Sequence, residues 1–150
     1  MALPTGSGTE TIHSHFFHDV DNAGGGRQTL IFGVQHHVYT VLSIIVHCNV
    51  LNATTDFGYL IMKGHDGHGG ASAVDMYLAR FNIQVKETYV WNDKFVFNGV
   101  EPAGNGALSA SEQVAIAAQS GSAVQELKFN CTHATDDFDI LVTYLDQDWT

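Results

Sequence analysis

Nine histidines in 150 residues are the chain's most conspicuous chemical resource, and several fall in short runs. "HSHFFHDV" (13–20) carries His13, His15 and His18 beside Asp19. In an extended chain residues i and i+2 share a face, so His13 and His15 form an HxH pair able to reach one ion. In a trimer with this strand at the axis, the pairs would converge on a single octahedral metal, a chemistry that suits imidazole. "GHDGHGG" (64–70) sets His65, Asp66 and His68 among glycines. That is too few ligands for a closed zinc site or a calcium loop, and the run reads as an exposed hairpin tip. His36 and His37 are adjacent and would face opposite ways in a strand. His47 and His133 read as strand residues satisfied by hydrogen bonds.

Two acidic groups, Asp136, Asp137 and Asp139 in "DDFD" and Asp146 and Asp148 in "DQDW", have the residue types of a calcium cluster or a glycosidase acid pair. The plainer reading is a solvated, charged edge on the last strand, which discourages unwanted strand pairing. Among the aromatics, Tyr89, Phe95 and Phe97 read mainly as core, while Trp91 or Trp149 is a candidate sugar or partner platform. The chain has no Gly-rich phosphate loop, GxSxG elbow, HExxH or CxxC motif. The expectation is a non-enzymatic protein without a cofactor, His13 and His15 being the metal ligands of choice if there is one. A cupin-like metal enzyme is a further alternative. It needs an HxH pair followed by Glu and a later His, and His13 and His15 precede most of the strands.

The elements that must position these residues are strands. Hydrophobic residues make up 45% of the chain and charged residues 15%, against a usual charged share of about 25%, which excludes a disordered chain. At this length a single domain buries roughly 68–70% of its unfolded surface. Six Lys plus Arg oppose sixteen Asp plus Glu, and Arg27, Lys63, Arg80, Lys86, Lys94 and Lys128 are scattered singly. Direct binding to nucleic acid, which needs clustered cations, or to an anionic membrane is not expected. Cys48 and Cys131 are too few for a disulfide framework and read as buried free thiols. The longest apolar run is too short for a membrane span. The first residues lack the charged and apolar regions of a signal peptide, which predicts folding in a cytoplasm.

"RQTLIFG", "VYTVLSIIVHCNV", "DFGYLIM", "VDMYLARFNIQVK" and "TYVWNDKFVFNGV" read as successive strands punctuated by Gly, Asn and Asp. The second places Leu42, Ile44, Val46, Cys48 and Val50 on one face and Val41, Ser43, Ile45, His47 and Asn49 on the other. Apolar residues on both faces mark a central strand. "EPAGNGALSAS" reads as a loop and "EQVAIAAQS" as a strand. "QELKFNCTH" alternates with Leu127, Phe129, Cys131 and His133 on one side. "DFDILVTYLDQDW" sets Phe138, Ile140, Val142 and Tyr144 against Asp139, Leu141, Thr143 and Leu145. The prediction is an all-β antiparallel sandwich or jelly-roll-like domain of eight or nine strands spanning 11–150, preceded by an N-terminal arm at 1–10.

The order of "VYTVLSIIVHCNVLNATTDFGYLIM", "YLARFNIQVKETYVWNDKFVFNGVE" and "ALSASEQVAIAAQSGSAVQELKFNCTHATDDFDILVTYLD" resembles small structural proteins of tailed bacteriophages across about residues 28–146. The resemblance lies in strand order and turn positions. "SASEQ" (109–113) stands where the usual turn has glycine and aspartate. It implies a virion component assembled in the host cytoplasm, first a capsid decoration or cement protein, alternatively a neck, tail or fibre subunit with a receptor- or carbohydrate-binding face. Its implied partners are copies of itself, as a homo-oligomer such as a trimer, and the major capsid protein or neck and tail proteins. On this reading "HSHFFHDV" is a contact strand: His13, His15 and Phe17 share one face, Phe16 and His18 the other, and all five are candidate subunit or virion contacts.

Overall fold

A computed structural model describes residues 9–21, 26–34, 36–65, 73–99 and 124–148. These form nine strands: β1 (Glu10–Val20), β2 (Gln28–Phe32), β3 (His37–Val50), β4 (Gly58–His65), β5 (Ala73–Phe81), β6 (Thr88–Trp91), β7 (Phe95–Asn98), β8 (Glu126–Cys131) and β9 (Asp137–Asp148). The predicted strand at 112–120, the loop at 101–111, the 66–70 turn, the first eight residues and Trp149 lie outside the described residues. β1 already begins at Glu10, inside the expected arm.

The topology is one long hairpin rolled up. Antiparallel pairs nest as β1–β9, β2–β8, β3 with β6 and β7, and β4–β5. Winding sends alternate pairs to opposite layers, giving a five-stranded sheet ordered β1-β9-β3-β6, with β7 also on β3, and a four-stranded sheet ordered β2-β8-β4-β5. This is the jelly-roll arrangement of a two-sheet sandwich. β6 and β7 are one interrupted edge strand, since Trp91 lies opposite Ile44 and Phe95 opposite Val41.

Period-two alternation builds the core. Leu127, Phe129 and Cys131 of β8 and Phe138, Ile140, Val142 and Tyr144 of β9 all point between the sheets and are buried. Phe129 packs edge-on to Phe138 with ring centroids 5.4 Å apart. Gly58 lies against the Phe129 ring, where a Cβ would collide with it. Truncating a phenylalanine packed this closely costs about 3–5 kcal/mol.

β3 departs from the simple alternation. A bulge against β9 between Val41 and Ser43 inserts one extra residue, and a one-residue shift swaps the faces. Tyr39 and Val41 therefore join Ile44, Val46 and Cys48 in the core, and Leu42 does not. A second irregularity between Cys48 and Val50 turns Val50 outward. The two cysteines are free and buried. Burial first, then Asp136 and other nearby carboxylates, pushes the Cys48 thiol up to about 11 and Cys131 to about 12, so both stay protonated.

The sheets are clasped at one corner by close backbone contacts, to which the Tyr39 hydroxyl adds bonds from Val34 N and to Phe32 O. Gly33 N donates to Gln125 O (2.9 Å), Gln125 N to Gly99 O (2.8 Å) and Gly99 N to His37 O (2.9 Å). A Cβ on Gly33 would strike the Gly99 and Gln125 carbonyls, and one on Gly99 would strike the Val34 backbone. Only glycine permits so close an approach.

Candidate contact surface

The outer face of the five-stranded sheet is arranged in cross-strand rows fixed by the register. At its centre Ser14 lies opposite Thr143, which lies opposite Ser43, and the Ser14 and Thr143 hydroxyls are 3.2 Å apart. On one side runs Phe16–Leu141–Ile45–Val90. On the other runs Ile12–Leu145–Thr40–Val96. The ends of these rows are open to solvent: Phe16 is 63% exposed, Ile12 68%, Val90 47% and Val96 62%. Two apolar rows thus flank a row of small hydroxyls on a face that nothing covers among the described residues.

A polar row closes one end of this face. His18 Nδ1 lies 2.6 Å from Asp139 Oδ1, and its Nε2 lies 3.2 Å from Asp19. Asp19 adopts φ 54° where the β1–β9 register breaks, and its amide donates to Asp139 Oδ1 at 3.1 Å. The hydrogen bond to Asp139, and then the surrounding carboxylate charges of Asp139, Asp19 and Asp137, raise the His18 pKa. Partial burial pushes the Asp139 pKa up, but hydrogen bonds from Asn49, His18 and the Asp19 amide outweigh it and hold the carboxyl below its usual range. His47 continues the row, its Nδ1 2.7 Å from the Thr88 hydroxyl.

His13, His15 and Phe17 occupy the inner face of β1, opposite Tyr144, Val142 and Ile140. His13 stacks on Tyr144 at 5.0 Å and lies 5.6 Å from the His15 ring. Its Nε2 faces Asp146 at 3.7 Å, and the other oxygen of Asp146 lies 2.8 Å from His37 Nδ1. The expected partition of the N-terminal strand into two faces is therefore observed, and Phe16 stacks with His18 on the outside. A group of three metal-capable side chains does occur among the described residues, but it is His18, Asp19 and Asp139, not the HxH pair.

The acidic groups do not converge. Asp136 is buried in the β8–β9 turn, accepting from the amides of Asn52 (2.9 Å) and His133 (2.7 Å). Asp137 and Asp139 are on the outer face of β9, whereas Asp146 belongs with His13 and His37. β9 lies between β1 and β3, so Asp137 and Asp139 do not guard an edge, contrary to expectation; the last strand of a rolled hairpin pairs with the first and is enclosed. His36 sits in a turn at φ 65° and His133 in the turn after β8, not in strands.

Trp91 is half-buried, and its Nε1 donates to Asp93 O at 2.8 Å. With Tyr89, Phe81, Arg80 and Asn82 it lines a cleft of about 370 Å³ between β5 and β6. The expectation of core aromatics fits Phe97, which is buried, and the half-buried Phe95; Tyr89 remains exposed.

Four of the six cations that look scattered in sequence, Arg27, Lys63, Arg80 and Lys128, lie on the outside of the four-stranded sheet, while Lys86 and Lys94 lie in the connections before β6 and β7. Lys63 and Lys128 lie 3.6 and 2.9 Å from the buried Glu126, whose other contact is the Thr29 hydroxyl at 3.3 Å. Arg27 pairs with Asp75, and the Arg80 guanidinium sits 3.3 Å over the Phe57 ring.

The apolar rows escaped the sequence reading. Leu141 and Leu145 on the polar side of β9 were the available signal. No family model matches the chain, and no curated protein matches it in sequence.

Proposed function

We propose that this protein is a non-enzymatic structural subunit of a larger particle, a tailed-phage decoration or cement protein, seated on a neighbouring virion protein through the outer face of its five-stranded sheet. The observation that carries this reading is the pair of exposed apolar rows, Phe16–Leu141–Ile45–Val90 and Ile12–Leu145–Thr40–Val96. Exposed apolar rows of this kind, here on either side of a hydroxyl row, mark sites of protein association. The jelly-roll topology is compatible with it, being shared by capsid, lectin and cupin proteins, although fold by itself assigns no function. The virion setting rests on the sequence resemblance.

A cupin-like enzyme needs metal ligands converging between the sheets. The middle of that space holds Leu60, Phe129, Phe138, Ile140 and Val142, all fully buried, which does not favour such a site, with His13, His37 and Asp146 at one end. A second reading, a neck, tail or fibre subunit with a ligand-binding face, is favoured by the cleft at Trp91; binding to a glycan array that is lost in Trp91→Ala would select it.

The test of the leading reading is reconstitution. Purified chain is added to particles lacking it, alongside a Val90→Asp/Val96→Asp variant. Saturable binding by the wild type, lost in a variant that keeps its circular dichroism and melting temperature, is the expected result. A wild-type chain that does not bind particles, or a variant that binds equally well, overturns it.

A further inference from the structure

β1 ends the five-stranded sheet, and its outer edge has no strand beside it among the described residues. The phase of its hydrogen bonding follows from one contact: Asp148 N donates to Thr9 O at 3.0 Å. Hydrogen-bonded and non-bonded pairs alternate in an antiparallel ladder. Thr9, Thr11, His13, His15 and Phe17 therefore direct their backbone groups to β9, and Glu10, Ile12, Ser14, Phe16 and His18 direct theirs outward. Natural edges are blunted by lysine, proline, bulges or charges that point inward. Between Thr11 and Phe17 this edge has no proline, acid, lysine or arginine, and its register stays regular until the bulge and left-handed Asp19 stop it.

We propose that the β1 edge is an interface between two copies of this chain, which pair antiparallel about a two-fold axis at Ser14. The side chains single out this register. Centred on Ser14, Glu10 faces the partner's His18, Ile12 faces the partner's Phe16, and Ser14 faces its own equivalent. Centring on His13 sets Glu10 against phenylalanine and Ile12 against serine; centring on His15 sets Ile12 against histidine and Phe16 against serine. Of these three, only the Ser14 register sets apolar against apolar; it also brings Glu10, which accepts from Gln147 Nε2 at 2.7 Å, towards the partner's His18, whose ring already meets Asp139 and Asp19. The regular stretch runs from Glu10 to Phe17, and Ser14 lies next to its centre.

Pairing gives every outward backbone group from Glu10 to His18 a partner. It also makes the two sheets continuous: the Phe16–Leu141–Ile45–Val90 row of one copy runs into the Ile12–Leu145–Thr40–Val96 row of the other. The face described above is doubled rather than consumed. The proposal extends the assembly reading and rests on it for its setting, but it is tested on the purified chain alone.

Two substitutions at the axis provide the test. Ser14→Pro removes an outward N–H and leaves the β1–β9 bonds in place, a position where proline is tolerated on an edge. Ser14→Cys places two thiols on Cα atoms about 5.5 Å apart, within disulfide reach, whereas Ile12→Cys faces phenylalanine. By sedimentation equilibrium the wild type is a dimer and Ser14→Pro a monomer with native circular dichroism. Under mild oxidation Ser14→Cys becomes a covalent dimer at least about tenfold faster than Ile12→Cys, as the bridging geometry requires. A wild-type monomer, a trimer, or equal cross-linking at both positions overturns the proposal. If Ser14→Pro does not fold, the cysteine pair decides. Loss of particle binding with the dimer intact counts against the assembly reading alone, and the converse counts against the dimer alone.

Discussion

The outsides of the two sheets share one backbone alternation and finish it in opposite ways. On the four-stranded sheet, Lys63 and Lys128 converge on Glu126, Arg27 pairs with Asp75, and Arg80 covers Phe57. Each of these four cations has a contact within the chain, three with a carboxylate and Arg80 with a ring. On the five-stranded sheet the corresponding positions are Phe16, Leu141, Ile45 and Val90, with Ile12, Leu145 and Val96 across a row of hydroxyls. The first face pairs its cations internally, with Phe32 and Tyr77 exposed at its margins. The second exposes apolar area whose removal from water stabilises an association by about 25 cal/mol per Å² before entropic costs. A substitution should therefore register as lost stability on one face and as lost association on the other.

The largest expected effect is on association. Val90→Asp/Val96→Asp weakens particle binding by at least about 100-fold, as for loss of central apolar contacts, with little change in melting temperature; titration of reconstituted particles measures it. Next, Glu126→Ala leaves Lys63 and Lys128 facing each other without their acid. It lowers unfolding free energy by about 2 kcal/mol, read from urea denaturation, and leaves particle binding unchanged. Arg80→Ala loses the ring contact with Phe57 and lowers stability by about 0.5–1 kcal/mol. Should either of these two abolish binding while Val90→Asp/Val96→Asp spares it, the assignment of the faces is reversed.

The smallest effect is electrostatic. The raised His18 pKa contributes stability that is fully present below the unfolded value of 6.5 and is lost as pH rises through the folded value. The lowered Asp139 pKa contributes stability present above 3.8 and lost as pH falls through its depressed value. The pair is thus most favourable between these limits. Asp139→Asn should bring the His18 imidazole titration, followed by NMR, down towards 6.5; an unmoved titration would remove Asp139 as its cause.

Much of the fold was legible because alternation is local. The inward sets of β8 and β9 follow from residue types alone, as does the two-faced β1. The bulge at Leu42 was not legible: an extra residue in a run of apolar residues leaves the pattern plausible in either phase, and only pairing with β9 reveals it. Partnerships across the sheet were hidden for a different reason. His18 and Asp139 are 121 residues apart, and Ser14 and Thr143 are 129 apart, so their meeting depends on the rolled topology. The same distance concealed Glu126 as the hub for Lys63. Leu141 and Leu145 on the polar side of the last strand were the one local sign that its outer face is not an ordinary solvated surface.

The glycine clasp at Gly33, Gly99 and Gln125 has a consequence for chain architecture. Because Gln125 N bonds Gly99 O directly, two points far apart in the sequence are held side by side. Lengthening the chain between two points held in this way adds only a logarithmic closure penalty, about 0.6 kcal/mol per doubling. The clasp thus keeps the ends of β7 and β8 together at an entropic cost that depends only weakly on the length of chain joining them.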